Sequence, residues 1–376
     1  MTVRLLIAAL LLLTPASRAE EASSQEYKKV LAHELSGPSE AWPGRQFVQA
    51  DKQGRVFVLR DTLDLYQISP VGRLILKGRF TDDHTSKDRP PITAAAMSLT
   101  GSVWVLFSFP NHLDIFRGEK RTEHLEAPWM VSAVSAGQGE PIIAVMPAEM
   151  GTAAPTSLRL DSPPLLQEWD GKQWNNLAEG QFAGRRPDGV TRPEHLRGNS
   201  DVLLAPTPER HLWMVDEHAY RLRHFSPSGM LKDELTVGGG QVTWKERTPE
   251  EWAKAESTAK RAGIAFSRSS LSAVHALTVI RAMAIGRDGA IYLIVEAEKG
   301  LALDRFDPGL LTLDRVILAG LDPGSGRLTM AAGRQGLYIS GGSHLWQIDS
   351  DALEKVEWRP IQDAMLNGQQ LVPEVK

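Results

Sequence analysis

From Phe47 to Phe80 the chain reads FVQADKQGRVFVLRDTLDLYQISPVGRLILKGRF, four short apolar runs parted by a glycine turn, a polar loop and a Pro-Gly turn. Each run is too short for a helix and is bounded by turn residues, which is the spacing of short antiparallel strands. The pattern is then rewritten along the chain. Ile92 to about Leu125 gives ITAAAMSL, TGS, VWVLFSF, HLDIF and a last run near Leu125, and Val131 opens VSAVSA, IIAVM and, after an interruption, LLQEW with the turn DGK. Val202 opens VLLAPT, HLWMVD, YRLRHF, SPSG and MLKDELTV, and Val279 opens VIRAMAI, GRDG, AIYLIV, LALDRF, DPG and LTLDRVIL. Leu328 opens the last unit, LTMAA, GRQG, LYISG, HLWQID and EKVEW. Six units of this kind predict an all-β, six-bladed β-propeller of four-stranded antiparallel blades over residues 41–376. Dividing the long interruptions differently would give seven.

The register of aromatics supports the repeat. A glycine turn is followed within three residues by an aromatic at Gly54/Phe57, Gly101/Trp104, Gly289/Tyr292 and Gly336/Tyr338. Arg210 replaces the glycine before Trp213, and Gly139 is followed by Ile142. One strand later Tyr66, Phe116, Trp169, Phe225, Phe306 and Trp346 recur. Packing of neighbouring blades face to face requires such positions, so these aromatics are expected in the core. The whole resembles six-bladed propellers with NHL-type repeats, whose unit runs from a glycine turn through an aromatic strand and an arginine-rich strand to F-S-P-x-G. GRVFVLRDTLDLYQISPVG and HLWMVDEHAYRLRHFSPSG carry that resemblance most fully, and it covers nearly everything after about residue 40. It implies an architecture and leaves the chemistry open, since these propellers include enzymes, sensors and scaffolds.

Composition changes the picture in two ways. With 376 residues, 42 basic and 46 acidic side chains and a net charge of -4, the chain lacks the basic excess of a nucleic-acid binder. The N-terminus, MTVRLLIAALLLLTPASRAEE, has Arg4, an apolar core over Leu5–Leu13, and small residues Ser17 and Ala19 before Glu20. An apolar run of about nine residues is too short to cross a hydrocarbon layer that needs about 20. Residues 1–19 therefore read as a signal peptide cleaved near Ala19, with an uncleaved anchor as the alternative. The mature chain is expected to be secreted or periplasmic, with no membrane span after signal cleavage. With no cysteine it has neither a disulfide framework nor a thiol nucleophile. Residues 20–40 read as a leader, within which Val30–Leu35 is expected to supply a ring-closing strand for the last blade.

Where extra polypeptide falls points to a working face. Residues 81–91, 147–164, 178–201 and 238–278 all join second to third strands or one blade to the next. In an alternating blade those connections open on one rim, and repeat proteins commonly collect insertions on the binding side. Thr248-Pro249-Glu250-Glu251 signals a capped helix start, so an inserted helix is expected over residues 249–262, with Gly263 ending it. Trp252, Ala255 and Ala259 would form its thin apolar stripe.

Candidate chemistry is sparse. Arg185, Arg186, Arg192 and Arg197 crowd into one loop with His195, a set suited to an anionic ligand or acidic partner surface. These residues and Trp252 are the ligand-binding candidates. Asp216, Glu217 and His218, and the loop residues Asp61, Asn111 and His112, could point to the central channel. There the first three would hold calcium or zinc. Lactonase-like propellers carry such an ion in the channel, but their ligands do not match this sequence position by position. No HExxH, GxSxG, Walker or EF-hand motif occurs, and no catalytic residue is assigned. The expectation is a non-catalytic, cofactor-free binding propeller for a protein, peptide or glycan. The alternative is a metal-dependent hydrolase, lactonase or lyase acting at the channel.

Overall fold

The computed structural model describes residues 28–35, 46–81, 90, 92–98, 101–107, 112–126, 131–136, 141–145, 165–179, 202–207, 209–241, 243–261, 274–297, 300–321 and 328–371. The expected signal peptide lies outside them.

The repeat closes into a six-bladed ring. Blade 1 is Gln46–Ala50, Val56–Arg60, Asp64–Ile68 and Leu74–Arg79; blade 2 is Ile92–Met97, Val103–Phe107, His112–Arg117 and Lys120–Glu126. Blade 3 is Val131–Ala136, Pro141–Val145, Leu165–Trp169 and Trp174–Glu179; blade 4 is Val202–Pro206, Leu212–Asp216, Arg221–Phe225 and Leu231–Val237. Blade 5 is Ile280–Ile285, Ile291–Ala297, Gly300–Asp307 and Thr312–Ala319; blade 6 starts with Leu328–Gly333, Gly336–Gly341 and His344–Asp349. Successive strands of each blade pair antiparallel in sequence order. Each first strand lies against the first strands of both neighbouring blades, and the ring shuts where Leu328–Gly333 meets Gln46–Ala50.

Local turn chemistry explains why the unit repeats. Asp51, Ser98 and Thr207 each open a first-to-second turn, and each side-chain oxygen accepts the backbone N–H four residues on. Gly54 and Gly101 take the left-handed position of that turn, with φ of 70° and 86°. Arg210 stands at the same place in blade 4 and is itself forced to φ 66°, a strained conformation for a side-chain-bearing residue. Its guanidinium reaches Glu168 of blade 3 at 3.2 Å.

Packing follows the aromatic register. Phe57, Trp104, Trp213, Tyr292 and Tyr338 are all buried. Among the described residues six apolar clusters form, one at each interface between blades. In blades 1 to 4 a bulge interrupts the pairing of third and fourth strands, as between Arg121 and Glu123. Such bulges bend and twist the outer strand.

The two chain ends depart from the simple repeat. Lys29–Leu31 runs parallel to blade 5's outer strand, Ala32 donates its N–H to Ala319 O at 2.8 Å, and His33–Glu34 pairs antiparallel with His344–Asp349. The fourth strand of blade 6 is thus His33–Glu34, from the start of the chain. The expected strand EKVEW does not form. That edge is already occupied, and Ser350–Lys355 is a short helix whose Ala352 and Leu353 pack on the cluster between blades 5 and 6. Beyond it Arg359–Pro360 pairs with blade 5's outer strand, and Ala364–Leu366 pairs with blade 4's. The tail then turns back at Asn367-Gly368, with φ of 51° and 80°, into Gln369–Gln370. Positive φ at both centres of a two-residue loop suits an Asn-Gly hairpin. Two sheet edges that would otherwise stand open are covered.

Topology separates the rims. The connections across residues 80–91, 146–164, 180–201 and 238–279 all join second to third strands or consecutive blades, and so leave from one rim. First-to-second and third-to-fourth turns, each short, open on the other. The tail from Ser350 also leaves from that other rim, and is spent along the outer edges of blades 5 and 4.

Candidate functional site: the insertion-bearing rim

The ring axis is one place where the sequence predicts chemistry. All six first strands line an axial cavity of about 90 Å³, including Phe47, Ala95, Val134, Leu203, Met283 and Met330. Its polar lining is Gln49, Thr93 and Thr329. Gln49 Nε2 donates to Ala95 O at 3.2 Å, and Thr329 Oγ1 accepts Val48 N–H at 3.0 Å, so these groups stitch neighbouring blades together. Among the described residues no carboxylate or imidazole lines the cavity. Its volume lies well below the roughly 300–1,000 Å³ of small-molecule sites.

Asp216, Glu217 and His218 sit where blade 4's second strand turns into its third, and all three are buried. His218 and the Glu217 backbone hold the returning end of the insertion between blades 4 and 5. Asp216 Oδ1 accepts His218 N–H at 2.9 Å, and His218 Nδ1 donates to Leu277 O at 3.1 Å. Glu217 O accepts the N–H of Val279 (2.7 Å) and of Ile280 (3.1 Å). The turn is an anchor for residues 277–280. Burial raises the Asp216 carboxyl above its ordinary value, outweighing the His218 hydrogen bond and the nearby Arg223 and Arg221. A carboxyl raised in the folded state favours folding most at low pH, and that contribution is lost as pH rises through the folded value. Asp216→Asn keeps the oxygen that accepts from His218 and removes the buried charge. Chemical unfolding should therefore show the variant at least as stable as the parent at pH 7, with its advantage growing between pH 4 and pH 7. A loss of about 2 kcal/mol or more at pH 7 would contradict the anchor role.

The insertion that this turn holds builds its own structure. Trp244–Glu246 pairs antiparallel with Val274–Ala276, and the helix Pro249–Arg261 stands between them in sequence. Thr248 N–H donates to Glu251 Oε2 at 2.9 Å and Glu251 N–H to Thr248 Oγ1 at 3.3 Å, a reciprocal capping box. Trp252 is half-buried on the first turn, with the Arg247 guanidinium 5.8 Å from its ring centroid. Arg185, Arg186, Arg192, His195 and Arg197 lie outside the described residues, so the structure places only Trp252 of the ligand-binding candidates.

Sequence reasoning missed a pattern of buried charge. On the face of each blade that meets the preceding one, the middle of the third strand carries Asp114 in blade 2, Arg223 in blade 4 and Asp304 in blade 5. Each has its partner directly opposite on the fourth strand: His124, Glu234 and Arg315. The contacts are 2.6 Å for Asp114–His124, 3.0 Å for Arg223–Glu234, and 2.6 and 2.7 Å for the two-pronged Arg315–Asp304 pair. Blades 4 and 5 neutralise a buried charge with a full opposite charge. Blade 2 sets an imidazole directly opposite the acid, with the Arg121 guanidinium 3.4 Å from its other oxygen, and places His112 two residues from Asp114 on the same face. Among the described residues, His112, Asp114 and His124 are the set whose ligand atoms converge, all within 4.8 Å of one another.

On the opposite rim a groove of about 370 Å³ lies between blades 5 and 6, lined by Arg287, Arg305, Arg334, Tyr292 and Trp358 among others. Arg305 is paired with Asp288 and Asp307, and Arg334 donates to Gln53 O, so these two guanidiniums are engaged with the ring's own turns. Among the described residues no helix is long and apolar enough to cross a membrane.

No protein-family model matches the chain, and no curated protein matches it. Among solved structures it is similar to a protein of unknown function from Bacteroides thetaiotaomicron, at 12% identity and TM-score 0.49, covering 85% of this chain and 75% of that one. It is also similar to virginiamycin B lyase from Staphylococcus aureus, at 8% identity and TM-score 0.43, covering 80% and 79%. A third is the β-propeller domain of Cps50 (Swd1) from Myceliophteria thermophila, at 11% identity and TM-score 0.41, covering 84% and 98%. Identities this low leave activity open, and the architecture rests on the strand pairing itself: the chain is a six-bladed β-propeller of four-stranded antiparallel blades.

Proposed function

We propose that this chain is an exported, non-catalytic recognition propeller that binds a protein, peptide or glycan on its insertion-bearing rim. The observation that carries the reading is the insertion between blades 4 and 5. It forms a paired ribbon and a capped helix of its own, and buried Glu217 and His218 fix its base to the ring. A ring needs no such module to close. The small axial cavity supports the same reading, because a metal-dependent hydrolase at the channel needs carboxylate or imidazole ligands there and none lines it among the described residues. Export is carried by the N-terminal apolar run followed by Ser17 and Ala19.

The test pairs the parent with a variant in which residues 244–276 are replaced by a short Gly-Ser linker. Both are applied to peptide and glycan arrays and, with calcium or zinc added, to a panel of lactones and esters. A peptide or glycan class should bind the parent and be lost in a variant that melts like the parent. Trp252→Ala should weaken the same binding about tenfold, since tryptophans are prominent among the side chains that anchor interfaces. Undiminished binding by the linker variant, or metal-dependent turnover, would overturn the reading.

A further inference from the structure

Blade 2 carries a side-chain cluster that recognition by the inserted ribbon and helix does not use. His112 begins the third strand and Asp114 follows two residues on, so both project from one face; a bulge brings His124 of the fourth strand opposite Asp114. Asp114 is 0% exposed and His112 is 3% exposed, while the His124 side chain is 46% exposed. The His112 ring stacks on Phe107 at 4.8 Å between centroids and meets the His124 ring at 4.8 Å. Arg121 approaches the other carboxylate oxygen at 3.4 Å. These residues stand toward blade 1, at the end of blade 2 where the second strand gives way to the third, which is the insertion-bearing rim.

We propose that His112, Asp114 and His124 form a binding site for a borderline divalent transition-metal ion, with zinc as its representative. Two imidazoles and one carboxylate are the donor set such ions select, whereas calcium and magnesium prefer six or more oxygens. Ligands bound at about 2.0–2.2 Å stand roughly 3.0–3.5 Å apart, so the 4.8 Å spread closes by small side-chain rotations. The metal replaces the proton that His124 Nδ1 now shares with Asp114 Oδ1, and Arg121 stays on the remaining oxygen. Two walls of the site are fixed in advance: the Phe107 stack holds His112, and the strand ladder holds Asp114. The solvent side, at His124, leaves a coordination position open. Register supplies the contrast, because the corresponding pairs in blades 4 and 5 oppose an acid with arginine and so leave no ligand set.

Zinc titration of the metal-stripped mature chain by calorimetry, with cobalt absorption reporting coordination, tests the site. The parent should take up one equivalent. His124→Gln and His112→Gln should each weaken uptake at least tenfold, and His211→Gln, in blade 4, should leave it unchanged. His124 is the more exposed ligand, so its variant decides the matter if His112→Gln fails to fold. No stoichiometric uptake by the parent, or uptake that survives either ligand substitution in a folded variant, would overturn the proposal.

Discussion

Asp304→Ala should cost about 3–5 kcal/mol of folding stability, the usual loss when one partner of a buried ion pair is removed. Asp304 is 0% exposed and holds Arg315 through two hydrogen bonds, while Tyr220 OH from the neighbouring blade donates to it at 2.7 Å. Burial first, and then the Asp304 charge, keeps the Tyr220 phenol well above its ordinary value, so that it remains a donor. The alanine variant strands a guanidinium and a hydroxyl together. Equilibrium chemical unfolding measures the loss. Combining Asp304→Leu with Arg315→Met and Tyr220→Phe should recover most of it, because well-packed apolar groups replace a buried ion pair at little net cost. A loss under about 1 kcal/mol in the single variant would mean that the cluster does not tie blade 5 to blade 4.

Gly229→Ala should be comparably harmful, and Gly171→Ala should not. Both glycines sit in third-to-fourth turns with positive φ, 77° and 92°. A side chain in that region costs about 1–2 kcal/mol. At Gly171 a Cβ would meet nothing within 4 Å, so that strain is the whole cost. At Gly229 the Cβ would fall inside the van der Waals sphere of Leu177 O, on the outer strand of blade 3. The turn must then retreat from its neighbour, adding about 1–3 kcal/mol of overpacking for a total of about 2–5 kcal/mol. Equal effects of the two substitutions would show that this turn does not press on the preceding blade.

How much of this the sequence shows depends on whether a feature is local. The turn at Asp51–Gly54 and the aromatic after it write the same local chemistry in unit after unit, and so the blades are legible. The Thr248–Glu251 capping box spans four residues and is equally plain. The outer strand of blade 6 is legible only in part: the N-terminal stretch expected to close the last blade does so through His33–Glu34, while Lys29–Leu31 lies along blade 5, a split between two blades that the local sequence does not signal. The tail hairpin carries a signal, Asn367-Gly368, the turn pair of a two-residue hairpin loop. The trio in blade 2 was hidden by register: without the bulge after Arg121, Asp114 would oppose Glu123 instead of His124. His112 was singled out as a channel residue, but it stands two strands away from the axis. At Asp216–His218 the residue types suggested a metal, while the geometry shows hydrogen bonds to the insertion's base.

The central claim is that recognition belongs to the insertion-bearing rim. Hydroxyl-radical footprinting of the protein, with and without its array-identified peptide or glycan, tests it most directly. Protection should concentrate on residues 244–261 and 274–276. Protection confined to the opposite-rim turns, at residues 51–55, 226–230 and 286–290, would contradict the claim.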